Sequence, residues 1–189
     1  MSEYSASSIR VLKDLEPVKE RPGMYTRTTC PTHIIQEVID NSADEALAGY
    51  AKKIAVVVRA DGVIEVSDNG RGIPVEIHPE EGRPAVELVF CKLHAGGKFN
   101  QKESGNAYRF SGGLHGVGVS VTNALSIRLE VEIKRGGGIH HIAFGAGFVT
   151  DPLSRIGDCG QRNTGTTVRI QPDPKYFDSP KINLGQLEH

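Results

Sequence analysis

No apolar run here is long enough to cross a membrane, neither charge is in excess, the cysteines form no pattern, and nothing repeats. Each absence removes a class of function. A membrane helix needs about 20 consecutive apolar residues, and none occurs in this chain. Met1-Ser2-Glu3-Tyr4 does not begin a signal peptide. Acidic residues number 23 against 22 basic, with a pI near 6.7. That balance gives no global basic field with which the chain could grip nucleic acid by itself. The cysteines, Cys30, Cys91 and Cys159, are odd in number and show neither metal nor redox spacing. They fit free, buried thiols in a reducing cytosol, and the expected location is cytoplasmic. What is present is 189 residues, 38% of them hydrophobic and 24% charged. That suits one soluble domain burying roughly 70% of its unfolded surface.

The chain is organised around Asp68-Asn69-Gly70-Arg71-Gly72-Ile73-Pro74. Val63 to Ser67 alternates apolar and polar with period two, which predicts a half-buried strand. Ile64, Val66 and Asp68 share a parity, so the carboxylate points to the side the apolar residues bury. Burying a charge without a partner costs several kcal/mol, as an order of magnitude. An ionised carboxylate only accepts, so it wants a donor such as the exocyclic amine of a nucleobase. Gly70 and Gly72 offer φ freedom and a missing Cβ that would let a flat ligand approach the backbone. The same residues also fit a plain Asn-Gly turn with an Asp cap.

Upstream, Ser8 to about Leu15 predicts a short amphipathic helix behind an N-terminal arm. A second helix is predicted from about Thr32 to Ala48, with Pro31 near its start and Gly49 after its end. Glu37 and Asn41 lie one turn apart on it, with Asp44 and Glu45 a turn further. Such a polar line is either a solvated face or one wall of a cleft. In a cleft, a carboxylate base and an amide could orient a water and complete a hydrated Mg²⁺ shell. Ile54 to Arg59 and Val63 to Ser67 flank Ala60-Asp61-Gly62, a hairpin signal.

Downstream, Pro84 opens a helix running to about His94, followed by Gly96-Gly97. The polar Asn100 to Ala107 predicts a loop of the kind that serves as a lid. Ser111-Gly112-Gly113-Leu114-His115-Gly116-Val117-Gly118 precedes a helix from about Val119 to Leu125. Those amides suit either phosphate or a flexible turn, and no Gly-Lys-Ser/Thr follows to make a Walker A loop. Ile127 to Lys134, Ile139 to Phe144 and Thr164 to Ile170 predict strands. Helices and strands segregated into blocks predict an α+β fold, a mixed, mainly antiparallel sheet with helices packed on one face.

Taken in order, Glu37-x-x-x-Asn41, Asp68-x-Gly70-x-Gly72, Gly112 to Gly118 and Thr164-Gly165-Thr166 resemble the GHKL ATP-binding fold. That family contains gyrase-type topoisomerases, Hsp90, histidine kinases and MutL-type repair proteins. The strings Glu37 to Gly49 and His94-Ala95-Gly96-Gly97-Lys98-Phe99 narrow the resemblance to the ATPase subunits of bacterial type IIA topoisomerases. Cys91-Lys92-Leu93-His94, Cys159 to Gly165 and Tyr176-Phe177-Asp178-Ser179-Pro180 look more like the B subunit of topoisomerase IV than that of gyrase. The resemblance spans almost the whole chain.

The resemblance implies ATP and Mg²⁺ as cofactors, and roles residue by residue. Glu37 would be the general base, oriented by His33, and Asn41 would coordinate Mg²⁺. Asp68 would accept from the adenine amine, with Thr166 holding a water beside it and Gly72 lying against the ring. Arg71 would pair with Glu45 at the pocket mouth, and Val38, Ile39, Ile73 and Pro74 would form apolar walls. Lys98 would reach the phosphates, Tyr108 would touch adenine, and Leu114, His115, Gly116, Val117 and Gly118 would cradle the β- and γ-phosphates. His115 itself has no metal-ligand partner at useful spacing and reads as structural. Residues 1–20 would be an arm and short helix, with Tyr4 and Ile9 crossing onto a second protomer when ATP binds. Residues 21–189 would be the ATP-binding domain, cut before the transducer domain whose lysine contacts the γ-phosphate.

Implied partners are the topoisomerase IV A subunit, a second copy of the chain, DNA in the holoenzyme only, and ATP-competitive inhibitors. The chain departs from the family pattern in a longer lid, Asn100 to Ala107, and a shortened end. The expected fragment binds nucleotide with little hydrolysis. A gyrase B domain, or a non-hydrolysing nucleotide switch, are the other readings. A phosphotransferase of the histidine-kinase type is disfavoured, because no acceptor-histidine helix precedes the domain.

Overall fold

The structure is a computed structural model and describes residues 11–93, 95 and 118–187. Six strands form one sheet, in the order β1-β2-β6-β3-β4-β5. They are β1 Ile54–Val58, β2 Ile64–Asp68, β3 Ser126–Arg135, β4 Gly138–Gly145, β5 Phe148–Asp158 and β6 Gly165–Pro172. Every described pairing between them is antiparallel. The helices are α1 Glu16–Glu20, α2 Thr32–Leu47, α3 Ala85–Cys91, α4 Gly118–Ala124 and α5 Leu184–Leu187.

The sheet's apolar parity faces the helices. Ile64, Val66, Leu129, Val131, Ile133, Val168 and Ile170 from the strands join Ile34, Ile35 and Val38 of α2, Phe90 of α3 and Val121 and Ala124 of α4 in one core. Burial contributes about 1.5–3 kcal/mol for each Val, Leu, Ile or Phe side chain, so this layer, not helix propensity, holds the short α3 and α4 in place. Buried polar groups fix their relative placement. The Thr122 hydroxyl donates to the Ile34 carbonyl at 2.7 Å, tying α4 to α2. Asn123 Nδ2 donates to the Phe90 carbonyl at 2.8 Å, tying α4 to α3.

The α+β fold with its mainly antiparallel sheet, α2 and the hairpin at Ala60-Asp61-Gly62 stand as the sequence predicts. Three elements differ. The first helix lies one turn later, over Glu16–Glu20, with a proline in its first turn. Asp14 has a φ of 47°, a left-handed conformation no α-helix continues through, so Val11 to Leu15 cannot be helical as one piece. Helix α3 stops at Cys91 rather than near His94, because Lys92 is already extended.

The third difference is an unforeseen strand, β5, eleven residues between Phe144 and the strand at Thr164. It is an edge strand with one neighbour. Its pairing with β4 shifts register three times, and its half-buried positions recur every four residues rather than every two. The bulges erase the alternation that would signal a strand, and an edge tolerates Pro152.

Candidate functional site

The Schellman motif at the end of α2 and the hairpin between β1 and β2 together set the site. Gly49 N–H donates to the Ala46 carbonyl and Tyr50 N–H to the Glu45 carbonyl, both at 2.9 Å. In the hairpin, Arg59 N–H donates to Val63 O at 2.9 Å. Asp68 then ends β2 directly opposite Thr166 of β6. Its carboxylate lies on the helix side of the sheet, where Ile64 and Val66 are fully buried.

Asp68 Oδ2 accepts from the Ser42 hydroxyl at 3.0 Å, and Oδ1 accepts from Gly70 N–H at 2.8 Å. Burial raises its carboxyl above the ordinary carboxylate range. The Gly70 and Ser42 hydrogen bonds oppose that shift, as does the Thr166 backbone to a lesser degree, and the nearby Glu45 charge adds to it. A carboxylate offers roughly four acceptor positions, so capacity for a further donor remains. Thr166, itself buried, accepts from Ile73 N–H at 3.3 Å and so holds the start of the following loop.

That loop is fastened from several sides. Arg135 Nη1 donates to Gly72 O at 3.0 Å and Nε pairs with Glu76 at 3.2 Å. Val86 N–H donates to Pro74 O, and Ala85 N–H to Glu76 O, seating the loop on the start of α3. Positive φ is required at Gly72 (75°) and not at Gly70. The space left by each missing Cβ is filled by the protein: Lys134 O at 2.7 Å for Gly72, Asp68 Oδ1 and Glu45 Oε2 at 2.9 Å for Gly70. The glycines therefore admit strand β3 and two carboxylates, which corrects the expectation that their bare side serves a flat ligand.

On α2, Asn41 Nδ2 donates to the Glu37 carbonyl at 2.8 Å. A Cβ on Gly118 would lie 2.6 Å from Glu37 Cδ, so the Glu37 carboxylate rests on the first residue of α4. His33, one turn earlier, shares a 2.8 Å hydrogen bond between Nδ1 and the Thr26 hydroxyl. Glu45 takes a three-point grip from Arg71: Nη2 to Oε1 at 2.6 Å, Nε to Oε2 at 3.2 Å and backbone N–H to Oε2 at 3.1 Å. The structure thus gathers Glu37, Asn41, Glu45, Asp68, Arg71, Gly72, Ile73, Thr166 and Gly118 around α2, the β2 end and the α4 start. Lys98, Tyr108, Leu114, His115, Gly116 and Val117 lie outside the described residues, as do Tyr4 and Ile9.

Ser42, Asn69, Tyr50 and Arg135 belong to this assembly and were not foreseen. Ser42 did leave a trace, a hydroxyl on the α2 stripe of Ile35 and Val38. The others act through contacts with residues distant in sequence, which no local pattern records. Among the described residues no group of three or more acidic, histidine or cysteine side chains could hold a metal. The Asn41 amide oxygen is a hard donor of the type Mg²⁺ takes singly when waters and phosphates complete its shell. A depression of about 230 Å³, lined by Lys53, Ser67, Glu132, Lys134, Asn163 and Thr167, opens on the other face of the sheet and reaches Asp68 and Asn69 at its edge. Only Cys91 is buried, while Cys30 and Cys159 are half-buried, which corrects the expectation of three buried thiols.

Known proteins are similar to this chain in sequence and in fold. The B subunit of DNA topoisomerase 4 from Escherichia coli K12 is 58% identical over 98% of this chain and 29% of its own length. The B subunit of DNA gyrase from Thermotoga maritima is 53% identical over the whole chain and 29% of its length. This chain therefore spans under a third of these relatives. The topoisomerase IV ATP-binding domain of Francisella tularensis, solved with a small-molecule inhibitor, superposes with a TM-score of 0.80 at 52% identity. That match covers 94% of this chain and 46% of the other. The gyrase B 43K ATPase domain of Thermus thermophilus, solved with an aminocoumarin, gives 0.79 at 43% identity, over 96% and 45%. The sequence profile described as "Histidine kinase-, DNA gyrase B-, and HSP90-like ATPase" matches residues 28–175, from the turn before α2 to the end of the sheet. With the profile covering every element that builds the site, the chain belongs to the histidine kinase-, DNA gyrase B- and HSP90-like ATPase family.

Proposed function

We propose that this chain is the ATP-binding and hydrolysing domain of the B subunit of a bacterial topoisomerase IV. The observation that carries this reading is the Asp68 carboxylate, sunk on the apolar side of the sheet, held by Ser42 and Gly70, and able to accept one more donor. The adenine exocyclic amine is that donor, and Thr166 beside it orients a water toward the ring. Glu37 takes the proton from the attacking water, a contribution of about 10²–10⁴-fold. Its carboxylate is packed on Gly118, where the glycine run that holds the β- and γ-phosphates enters α4.

Asn41 is the side chain that would hold Mg²⁺, which would offset phosphate charge there. The Asn41 Nδ2 hydrogen bond to the Glu37 carbonyl fixes that amide relative to the base. His33 is pinned by Thr26 one turn from Glu37 and steers that carboxylate. Lys98 adds charge at the phosphates and Tyr108 covers the adenine.

In the whole protein, ATP binding closes a dimer gate through the arm bearing Tyr4 and Ile9, and drives DNA strand passage with the A subunit. Decatenation and relaxation follow in the cytoplasm, and ATP-competitive inhibitors occupy the Asp68 end. Identity of 55–58% to the topoisomerase IV relatives against 53% to the gyrase relatives supports the first over the second.

Calorimetric titration of the chain with ATP and Mg²⁺ tests the reading. Binding that Asp68→Asn weakens supports it, and equal affinity in the variant removes Asp68 from the site. Reconstituted holoenzyme that decatenates without supercoiling identifies topoisomerase IV, and ATP-driven negative supercoiling identifies gyrase.

A further inference from the structure

Successive amides hold two carboxylates: Gly70 N–H binds Asp68 Oδ1 at 2.8 Å and Arg71 N–H binds Glu45 Oε2 at 3.1 Å. The same two oxygens lie 2.9 Å from the point where a Cβ on Gly70 would sit, so they are at most twice that distance apart. Like charges this close disfavour each other's ionisation. Only Asp68 has to face a purine, so the Glu45 charge needs a counter-ion that stays in place.

The Arg71 guanidinium is that counter-ion, and its side chain is 40% exposed. Exposed ion pairs bind weakly, because water competes and long side chains wander. Here one face of the guanidinium is closed: Arg71 Cζ stands 3.7 Å from the centroid of the Tyr50 ring. The backbone that carries the ring is itself anchored on both sides. Tyr50 N–H is tied to the Glu45 carbonyl at 2.9 Å. The two residues after Ala51, Lys52 and Lys53, each donate an N–H to Asn69 Oδ1 at 2.8 Å. The tyrosine is thus stitched to the Glu45 backbone before it and to the neighbour of Asp68 after it.

We propose that Tyr50 is a positioning residue for the purine end of the pocket, stacking on Arg71 so that the Glu45 carboxylate stays paired beside Asp68. The inference rests on the reading of Asp68 as the adenine acceptor. An aromatic face is what position 50 supplies, so phenylalanine or histidine should serve and alanine should not.

The test is a calorimetric titration of the full chain with ATP and Mg²⁺, combined with NMR of the Arg71 Nε–Hε group in the free protein. Tyr50→Ala should weaken ATP by roughly 3- to 5-fold, with Tyr50→Phe and Tyr50→His near wild type. In an Arg71→Gln background Tyr50→Ala should change nothing further. The Arg71 Hε signal should be displaced upfield by the ring in wild type and revert in Tyr50→Ala. Wild-type affinity in Tyr50→Ala, or the same loss with and without Arg71, overturns the proposal. Absence of ATP binding by the wild type defeats the adenine reading itself, and the proposal with it. An undisplaced Arg71 signal in wild type overturns the stack whatever ATP does.

Discussion

Ser42 donates its hydroxyl proton to Asp68, Oγ to Oδ2 at 3.0 Å, from a buried position on the core-facing side of α2. The bond ties the long helix to the end of β2, so the acid at the centre of the pocket is also a fold contact. Ser42→Ala removes one donor from a half-buried carboxylate. Losing a hydrogen bond to a charged group costs about 1–3 kcal/mol, and urea denaturation should show that loss. The Asp68 carboxyl should also titrate higher than in the wild type, since Ser42 is among the groups that lower it.

The raised carboxyl of Asp68 gives stability and binding opposite dependences on pH. Burial is the first cause of the shift, so between the ordinary carboxylate range and the raised value the folded chain holds the proton more tightly than the unfolded one. Stability from this group is complete below that window and is lost as pH rises through it. ATP needs the ionised acceptor, so affinity should fall as pH drops into the same window. Asp68→Asn should abolish both dependences and weaken ATP at neutral pH by about 1–3 kcal/mol, because a donor would meet a donor. Thermal melts and calorimetry across pH 4–8 (roughly the range bracketing such groups) check this.

Gly118 leaves no room for a side chain, because a Cβ there would lie 2.6 Å from Glu37 Cδ and 3.0 Å from Glu37 Cβ. Gly118→Ala must displace the carboxylate or the start of α4. A shift of about 1 Å in a positioned catalytic group costs on the order of 10²-fold. Phosphate release by the intact protein should fall by that order. Gly160→Ala, where nothing lies within 4 Å, is the matched control and should leave the rate unchanged.

Glu37→Ala should separate binding from chemistry. ATP affinity should stay within a few-fold, since Asp68 and the glycine run are untouched, while turnover of the intact protein drops about 10²–10⁴-fold. Wild-type turnover in this variant would dismiss Glu37 as the base.

The thiols differ in reactivity. Burial first, and the Glu87 charge second, push the Cys91 thiol up to about 11, so almost none is thiolate at neutral pH. A disulfide reagent at pH 7.5 (about one unit below an ordinary thiol) should modify the half-buried Cys30 and Cys159 on the native chain. Cys91 should react only on unfolding, and mass spectrometry of the labelled peptides would locate each modification.

Much of this protein is written locally. Period-two alternation from Val63, the Ala60-Asp61-Gly62 turn and the stripe of Ile34, Ile35 and Val38 each need only neighbours in sequence, so α2, β2 and the side on which Asp68 is buried follow from the chain alone. The spacing of Glu37 and Asn41 by one helical turn is local in the same sense. What the tertiary structure decided are the contacts between segments far apart. Ser42 reaches Asp68 across 26 positions and Arg135 reaches Gly72 across 63. Gly118 meets Glu37 because Thr122 and Asn123 dock α4 between α2 and α3. Strand β5 exists because β4 offers it an edge, and its bulged register hides it from any periodic pattern. Backbone geometry repeats within an element and leaves a period in the sequence. Side chains meeting across a core or a sheet are fixed by packing, and packing leaves none.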